Sequence, residues 1–252
     1  MKKLEFDLQA HTCNDFLLNA GHLILIDIAP NAVTSTWKRI AKGINNLDPN
    51  SNDELDQTAY MDGGGYKDTT VIGGQFIIPM TGHRAYEDDA QNYIFNLQLE
   101  IGCNRETEAQ FIKPDGSKVS GDITIANITG GSGAAAAKGD IGFELHFNGK
   151  PSYTAVVAAA DLEAVFAAGS ASGTTKFTAT PAGTNTLEYT NYGVAEPVLP
   201  NLNTEFVGTA YTSAADIAGV TAGDWFLAVE VDEWNRVVEV TKYELQSGDI
   251  AV

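Results

Sequence analysis

Residues 69–151 read TTVIGGQFIIPMTGHRAYEDDAQNYIFNLQLEIGCNRETEAQFIKPDGSKVSGDITIANITGGSGAAAAKGDIGFELHFNGKP. The apolar spacing in this stretch changes twice, and those changes decide the fold. It opens on a strand-like run, TTVIGGQFIIPMTG, in which Gly73-Gly74 predict a bulge and Pro79 predicts a strand end at a sheet edge. Asp88-Asp89 then stand where a helix should begin, because acidic residues in a first turn favour the amide end of the helix dipole. Ala90, Tyr93, Ile94, Leu97 and Ile101 recur at helical spacing and predict one apolar face packed on a sheet. Two adjacent carboxylates can also serve as general acid and base. Without a His, Lys or nucleophile accompanying the pair, helix capping explains it better.

Beyond the helix, Glu106–Ile112, Lys118–Ile128 and Ile141–Phe147 alternate in the manner of half-buried strands. Asp115-Gly116 turns the first two into a hairpin, and Asn148-Gly149-Lys150-Pro151 forms a corner after the third. TGGSGAAAAKG reads as a flexible connector, since only Lys138 is at hand to support a phosphate cradle. Working toward the N-terminus, Leu23–Ile28 predicts a buried strand ended by Pro30, and Thr34–Ile40 a second one with Trp37 and Arg39 on one face. The expectation is a mainly β protein, a sandwich with one α-helix packed on it.

The order of Gly82-His83-Arg84, Asp88-Asp89, Pro114-Asp115-Gly116-Ser117 and Phe147-Asn148-Gly149-Lys150-Pro151 resembles the major tail proteins of long-tailed siphophages. These corners are structural, and the resemblance covers roughly residues 1–151. It implies a tail-tube-type β sandwich or barrel that assembles into stacked rings, hexameric in the family, through which phage DNA passes without specific binding. It further implies a structural virion protein of the tail, assembled in the host cytoplasm, with tape measure, tail terminator and distal tail proteins as partners and no cofactor.

Residues 41–67, AKGINNLDPNSNDELDQTAYMDGGGYK, are rich in Asn, Asp and Gly. A polar loop of this length in a compact domain usually serves function or partner contact. DPNSNDELDQTA begins like a calcium loop at Asp48, Asn50 and Asn52 but has Asp53 where glycine is needed and Ala59 where a bidentate Glu belongs. Gly63-Gly64-Gly65 lacks the Lys-Ser/Thr of a phosphate loop. By the resemblance this loop bridges successive rings, which makes Asn50, Asp53, Glu54, Asp56, Tyr60 and Tyr66 its interface candidates. Glu106, Glu108, Asp122 and Glu144 are candidates for the lumen wall.

Composition changes after Pro151. Residues 152–173 are an Ala/Gly/Ser-rich linker with an expected short helix around Asp161–Ala168. From Thr174, short strand-like runs separated by turn residues predict a small all-β domain at 174–252. KFTATPAG, residues 213–217 and AVEVD resemble a module appended to several phage structural proteins, which places decoration on the outside of the tube. The alternative is a monomeric β-sandwich module binding a receptor or carbohydrate on Trp225, Trp234 and Tyr243.

The chain has 33 acidic and 15 basic residues, a formal charge of −18; residues 151–252 carry −10 of it and residues 1–150 carry −8. Affinity for nucleic acid rests on Lys and Arg displacing counterions, so the protein is expected to repel DNA. A carboxylate-lined channel would let a duplex pass without sticking. The hydrophobic fraction of 44% and charged fraction of 19% are those of a soluble globular protein, and no stretch approaches a membrane span. Glu5, Asp7 and Asp15 interrupt the apolar run a signal peptide would need. Cys13 and Cys103 read as buried free thiols in a reducing cytoplasm, and His11, Cys13 and His22 do not make a zinc spacing. No Ser/His/Asp or Cys/His constellation stands out, so catalysis is not expected.

Overall fold

The alternation of residues 106–147 becomes the spine of an antiparallel sheet in the computed structural model, which describes residues 17–252. The described chain divides into two compact units. One comprises Leu23–Ile112 with Lys118–Thr154; the other comprises Ala155–Val252, Lys113–Ser117 and the described residues before Leu23.

The first unit contains β1 (Leu23–Asp27), β2 (Trp37–Arg39), β3 (Ile44–Leu47), β4 (Glu54–Ala59), β5 (Lys67–Gly73), β6 (Ile77–His83), α1 (Asp89–Asn96), β7 (Glu106–Ile112), β8 (Lys118–Gly130), β9 (Asp140–Phe147) and β10 (Ser152–Thr154). Its large sheet runs β2-β1-β7-β8-β9-β6-β3, with β10 paired to the start of β8. In β8 the buried positions are Val119, Ile123 and Ile125, then Ile128, a change of phase made by a register shift between Ala126 and Thr129. Asn127 occupies the shift with φ of 50°, a conformation Asn tolerates better than most residues. The shift keeps both halves of the strand facing one core. That core joins Ile24, Ile78, Phe111, Ile123, Phe143 and Leu145, among others, to Ala90 and Ile94 of α1. Each such large side chain contributes about 1.5–3 kcal/mol on burial.

The glycine-histidine-arginine corner and the acidic pair serve the helix. Asp88 is the N-cap, its Oδ1 accepting from Gln91 N at 2.8 Å. Gln91 is buried; its Oε1 accepts from Ala85 N at 2.7 Å while its Nε2 donates to Lys42 O, so one amide ties helix, corner and β3 approach together. A Cβ on Gly82 would lie 2.2 Å from Gly43 O, so this crossing admits only glycine.

Two expectations for this unit need correction. The regular helix ends at Asn96, passes into a single 3-10 turn at Leu97–Leu99, and leaves Ile101 exposed, so Ile101 is not on its buried face. Pro79 is interior to the sheet, since β6 lies between β9 and β3. Its carbonyl accepts from Asp48 N at 3.0 Å, one residue past the end of β3 at Leu47, so the missing N–H of proline faces the end of that strand rather than its interior.

The second unit contains β11 (Val165–Ala168), β12 (Thr174–Thr178), β13 (Thr186–Asn191), β14 (Thr209–Tyr211), β15 (Ile217–Ala218), β16 (Trp225–Val231) and β17 (Val237–Glu244). A sheet of order β11-β12-β15 accompanies one of order β14-β13-β16-β17. Phe166, Phe177, Leu187 and Phe226 form one cluster, and Phe206, Leu227, Val229 and Val240 another. The short helix expected at Asp161–Ala168 does not form: residues 161–164 are irregular and Val165–Ala168 is strand β11, with the Ser-Ala-Ser-Gly tail as the turn that pairs it with β12. Alanine favours a helix locally, but Phe166 gains more in the core, where its ring stacks on Tyr243 at 4.6 Å and lies 5.2 Å from Phe177.

Candidate assembly surfaces

The stretch read as a polar loop is a protruding β hairpin. β4 and β5 pair only with each other, from Glu54 opposite Gly73 to Ala59 opposite Lys67, as a separate two-stranded sheet. Nearly every residue of both strands is exposed. Glu54, Asp53, Asp56, Tyr60 and Tyr66 are exposed on this arm, whereas Asn50 sits half-buried at its base, bridged to Ile77. Asp56 accepts from Thr58 Oγ1 at 2.9 Å. The apolar side chains on the arm were missed by sequence reading: Leu55 and Val71 face each other across the ladder, and Ile72 and Met61 are also exposed. Thr69–Ile72, expected as the start of one strand running through a Gly73-Gly74 bulge toward Gly82, belongs instead to β5 of this arm, and residues 74–76 separate it from β6; the half of the arm read as loop is β4. An isolated two-stranded hairpin is at best marginally stable in water.

The four lumen candidates share the outward face of the large sheet. Glu108 lies directly opposite Asp122, Glu106 opposite Thr124, and Glu144 opposite Ala126. Among the described residues, none of the ion pairs involves Glu106, Glu108 or Asp122. Glu144 differs from the other three. Its Oε2 lies 2.7 Å from His146 Nε2 and accepts from Asn127 Nδ2 at 2.8 Å. The hydrogen bond from His146, aided by Asn127, holds its carboxyl below the usual carboxylate range against the opposing effect of burial. The structure therefore brings Glu106, Glu108 and Asp122 together as an unneutralised strip and gives Glu144 a partner.

The aromatic residues proposed as a ligand platform are not an exposed set. Trp225 and Trp234 are half-buried, and Lys242, paired with Glu196 at 2.6 Å, lies 5.6 Å from the Trp225 ring centroid. Tyr243 packs in the core cluster and its hydroxyl donates to Asp249 at 2.9 Å. Cys103, expected to be buried, is an exposed free thiol, because it sits in a 3-10 turn at Gly102–Arg105 that buries no residue; His11 and Cys13 lie outside the described residues. Among the described residues no group of three or more His, Cys, Asp or Glu could hold a metal ion, and no helix is long and apolar enough to cross a membrane.

Residues 167–248 match the family of the S-layer protein SbsC C-terminal domain. Three solved structures show likenesses of low identity. A chain from the tail of an empty GTA particle with C6 symmetry is 20% identical, with a TM-score of 0.46, over 56% of this chain and 100% of that one. A chain from the virion of the native gene transfer agent particle is 20% identical, with a TM-score of 0.44 and the same two coverages. Domains 7, 8 and 9 of the S-layer protein SbsC are 18% identical, with a TM-score of 0.35, over 54% of this chain and 38% of that one. No curated protein matches.

Proposed function

We propose that the chain is a structural subunit of a siphophage-type tail tube, and that the β4–β5 arm bridges successive, six-membered rings. The observation that carries this reading is the arm itself. Leu55, Tyr60, Met61, Tyr66, Val71 and Ile72 are all exposed on a two-stranded element that pairs with no other strand of its sheet neighbours. Burying them requires another surface, and a heterologous contact repeated between copies generates rings or filaments. The strip of Glu106, Glu108 and Asp122 supports a lumen wall that repels DNA. On this reading residues 1–151 build the tube, and the C-terminal strands decorate its outside, with tape measure, terminator and distal tail proteins as further partners in the virion.

Electron microscopy of the purified chain tests the assignment. Rings or tubes are expected from the full chain. Replacing residues 51–74 by a short turn between Asn50 and Gln75 should leave a folded subunit that forms no long tubes. Long tubes from the shortened chain would refute the role of the arm, and a monomer under all assembly conditions would refute the tube. The match of residues 167–248 to part of an S-layer protein favours one additional reading, a receptor- or carbohydrate-binding role for that region alone. Glycan-array or host-cell binding by the full chain distinguishes it from passive decoration.

A further inference from the structure

His146 lies on the outward face of β9 with 22% of its side chain exposed, beside Glu144 with 27%. Both of its ring nitrogens face oxygen. Nε2 stands 2.7 Å from Glu144 Oε2, and Nδ1 stands 3.3 Å from Gln75 Oε1. The amide of Gln75 is oriented by its own Nε2, which donates to Phe147 O at 3.2 Å and so turns Oε1 toward the ring. A neutral imidazole carries one N–H and would leave a lone pair against one of these oxygens; only the imidazolium donates to both.

Gln75 is also the residue that closes the base of the arm. Its backbone N donates to Ser51 O at 2.9 Å, and next to it Phe147 N donates to Phe76 O at 3.0 Å. Asn127, Glu144, His146 and Gln75 thus form a continuous chain of side chains from the shift in β8 to the root of β4–β5. We propose that His146 acts as an imidazolium clamp that holds the base of the β4–β5 arm against β9, making arm order dependent on pH. The clamp is a property of the single subunit and stands whatever the arm contacts.

The charged groups near His146 are mostly acidic. Its direct neighbours across the sheet are Thr124 on β8 and Ile77 on β6, neither charged. On the same face β9 supplies Glu144, β7 supplies Glu106 and Glu108, and β8 supplies Asp122 and, at its far end, Lys118. The arm base carries Asp53 and Glu54, and the only other titratable group of β6 is His83, paired with Asp140 at 3.4 Å at the opposite end. The pH window follows from the two partners. The Glu144 carboxyl is held low, so its contribution is present above the ordinary carboxylate range and is lost as pH falls through its folded value. On the alkaline side, a ring with only one N–H leaves one of the two oxygens without a donor. Arm order is greatest between these limits.

Hydrogen exchange on the full chain, corrected for the intrinsic pH dependence, tests the clamp at Asn50, Gln75, Ile77 and Phe147, whose backbone N–H groups bond across the arm base. Between about pH 6 and about pH 9 the open population at these amides should rise about five- to tenfold, the loss of one partly exposed hydrogen bond, while the β7–β8 ladder stays unchanged. His146→Gln should abolish that rise. Nitrogen NMR of the His146 ring in the unmodified chain gives a second measurement that does not depend on a variant folding: both nitrogens should be protonated at the pH of greatest arm protection. A bare Nδ1 at that pH, or protection at the arm base that ignores pH in the unmodified chain, overturns the proposal.

Discussion

Glu108 and Asp122 offer a test in which repair of the fold and loss of the proposed role point in opposite directions. The two carboxylates are directly opposite on adjacent antiparallel strands, and neither has an ion-pair partner among the described residues. Side chains so placed have Cβ atoms about 4.5–5.5 Å apart, and like charges there cost roughly 0.2–1 kcal/mol in a solvated setting. Asp122→Asn or Glu108→Gln should therefore stabilise the isolated subunit by about 0.3–1 kcal/mol. For a chain of this size that is a rise in melting temperature of about 1–4 °C. Because either change alone removes the repulsion, the double variant should gain little beyond the single ones, and all gains should shrink at high salt. Thermal melts of the three variants at low and high salt measure the cycle. Destabilisation by both single changes, or fully additive gains that ignore salt, would show that the pair does not repel and that the strip has a partner.

Three other outcomes follow from the same geometry. Glu108→Lys with Asp122→Lys should create duplex DNA binding that weakens steeply with salt, read by fluorescence anisotropy, where the unmodified chain shows none at near-physiological salt. Gly82→Ala forces a Cβ to 2.2 Å from a backbone oxygen and should cost about 2–3 kcal/mol or prevent folding of the first unit, read by denaturant titration. Phe166→Ala should cost the second unit about 3–5 kcal/mol, visible in calorimetry as the loss or downward shift of one transition while the β7–β8 amides keep their exchange protection.

How much was legible in the sequence depended on whether a pairing was local. Once Lys113–Ser117 is the turn, with Gly116 at φ of 89°, alternation alone puts Glu108 opposite Asp122, and the outward strip is readable without coordinates. The N-cap at Asp88 was equally local. Strand β11 was not, because an alanine-rich segment has helical preference, and contacts with Phe177 across the hairpin and with the distant Phe226 and Tyr243 are what make Phe166 worth burying in an extended strand. Ile101 kept helical spacing beyond Asn96, but the chain had already turned. The contact of His146 with Gln75 joins residues 71 positions apart, so no periodicity announces it.

The arm and the charge together constrain when such a subunit would assemble. A chain of formal charge −18 repels its own copies, and that repulsion acts over about 8–10 Å at ordinary ionic strength, whereas burial of Leu55, Tyr66, Val71 and Ile72 acts only on contact. An ordered arm presents those side chains together on a paired ladder; a frayed one presents them singly and must lose chain entropy on docking. On the proposed reading, therefore, added salt and a closed His146 clamp act on different terms of the same assembly equilibrium, the first by weakening repulsion and the second by preorganising the contact. Their effects on the critical concentration for tube formation should multiply. Salt dependence surviving in His146→Gln, at a uniformly higher critical concentration, is the pattern this separation requires.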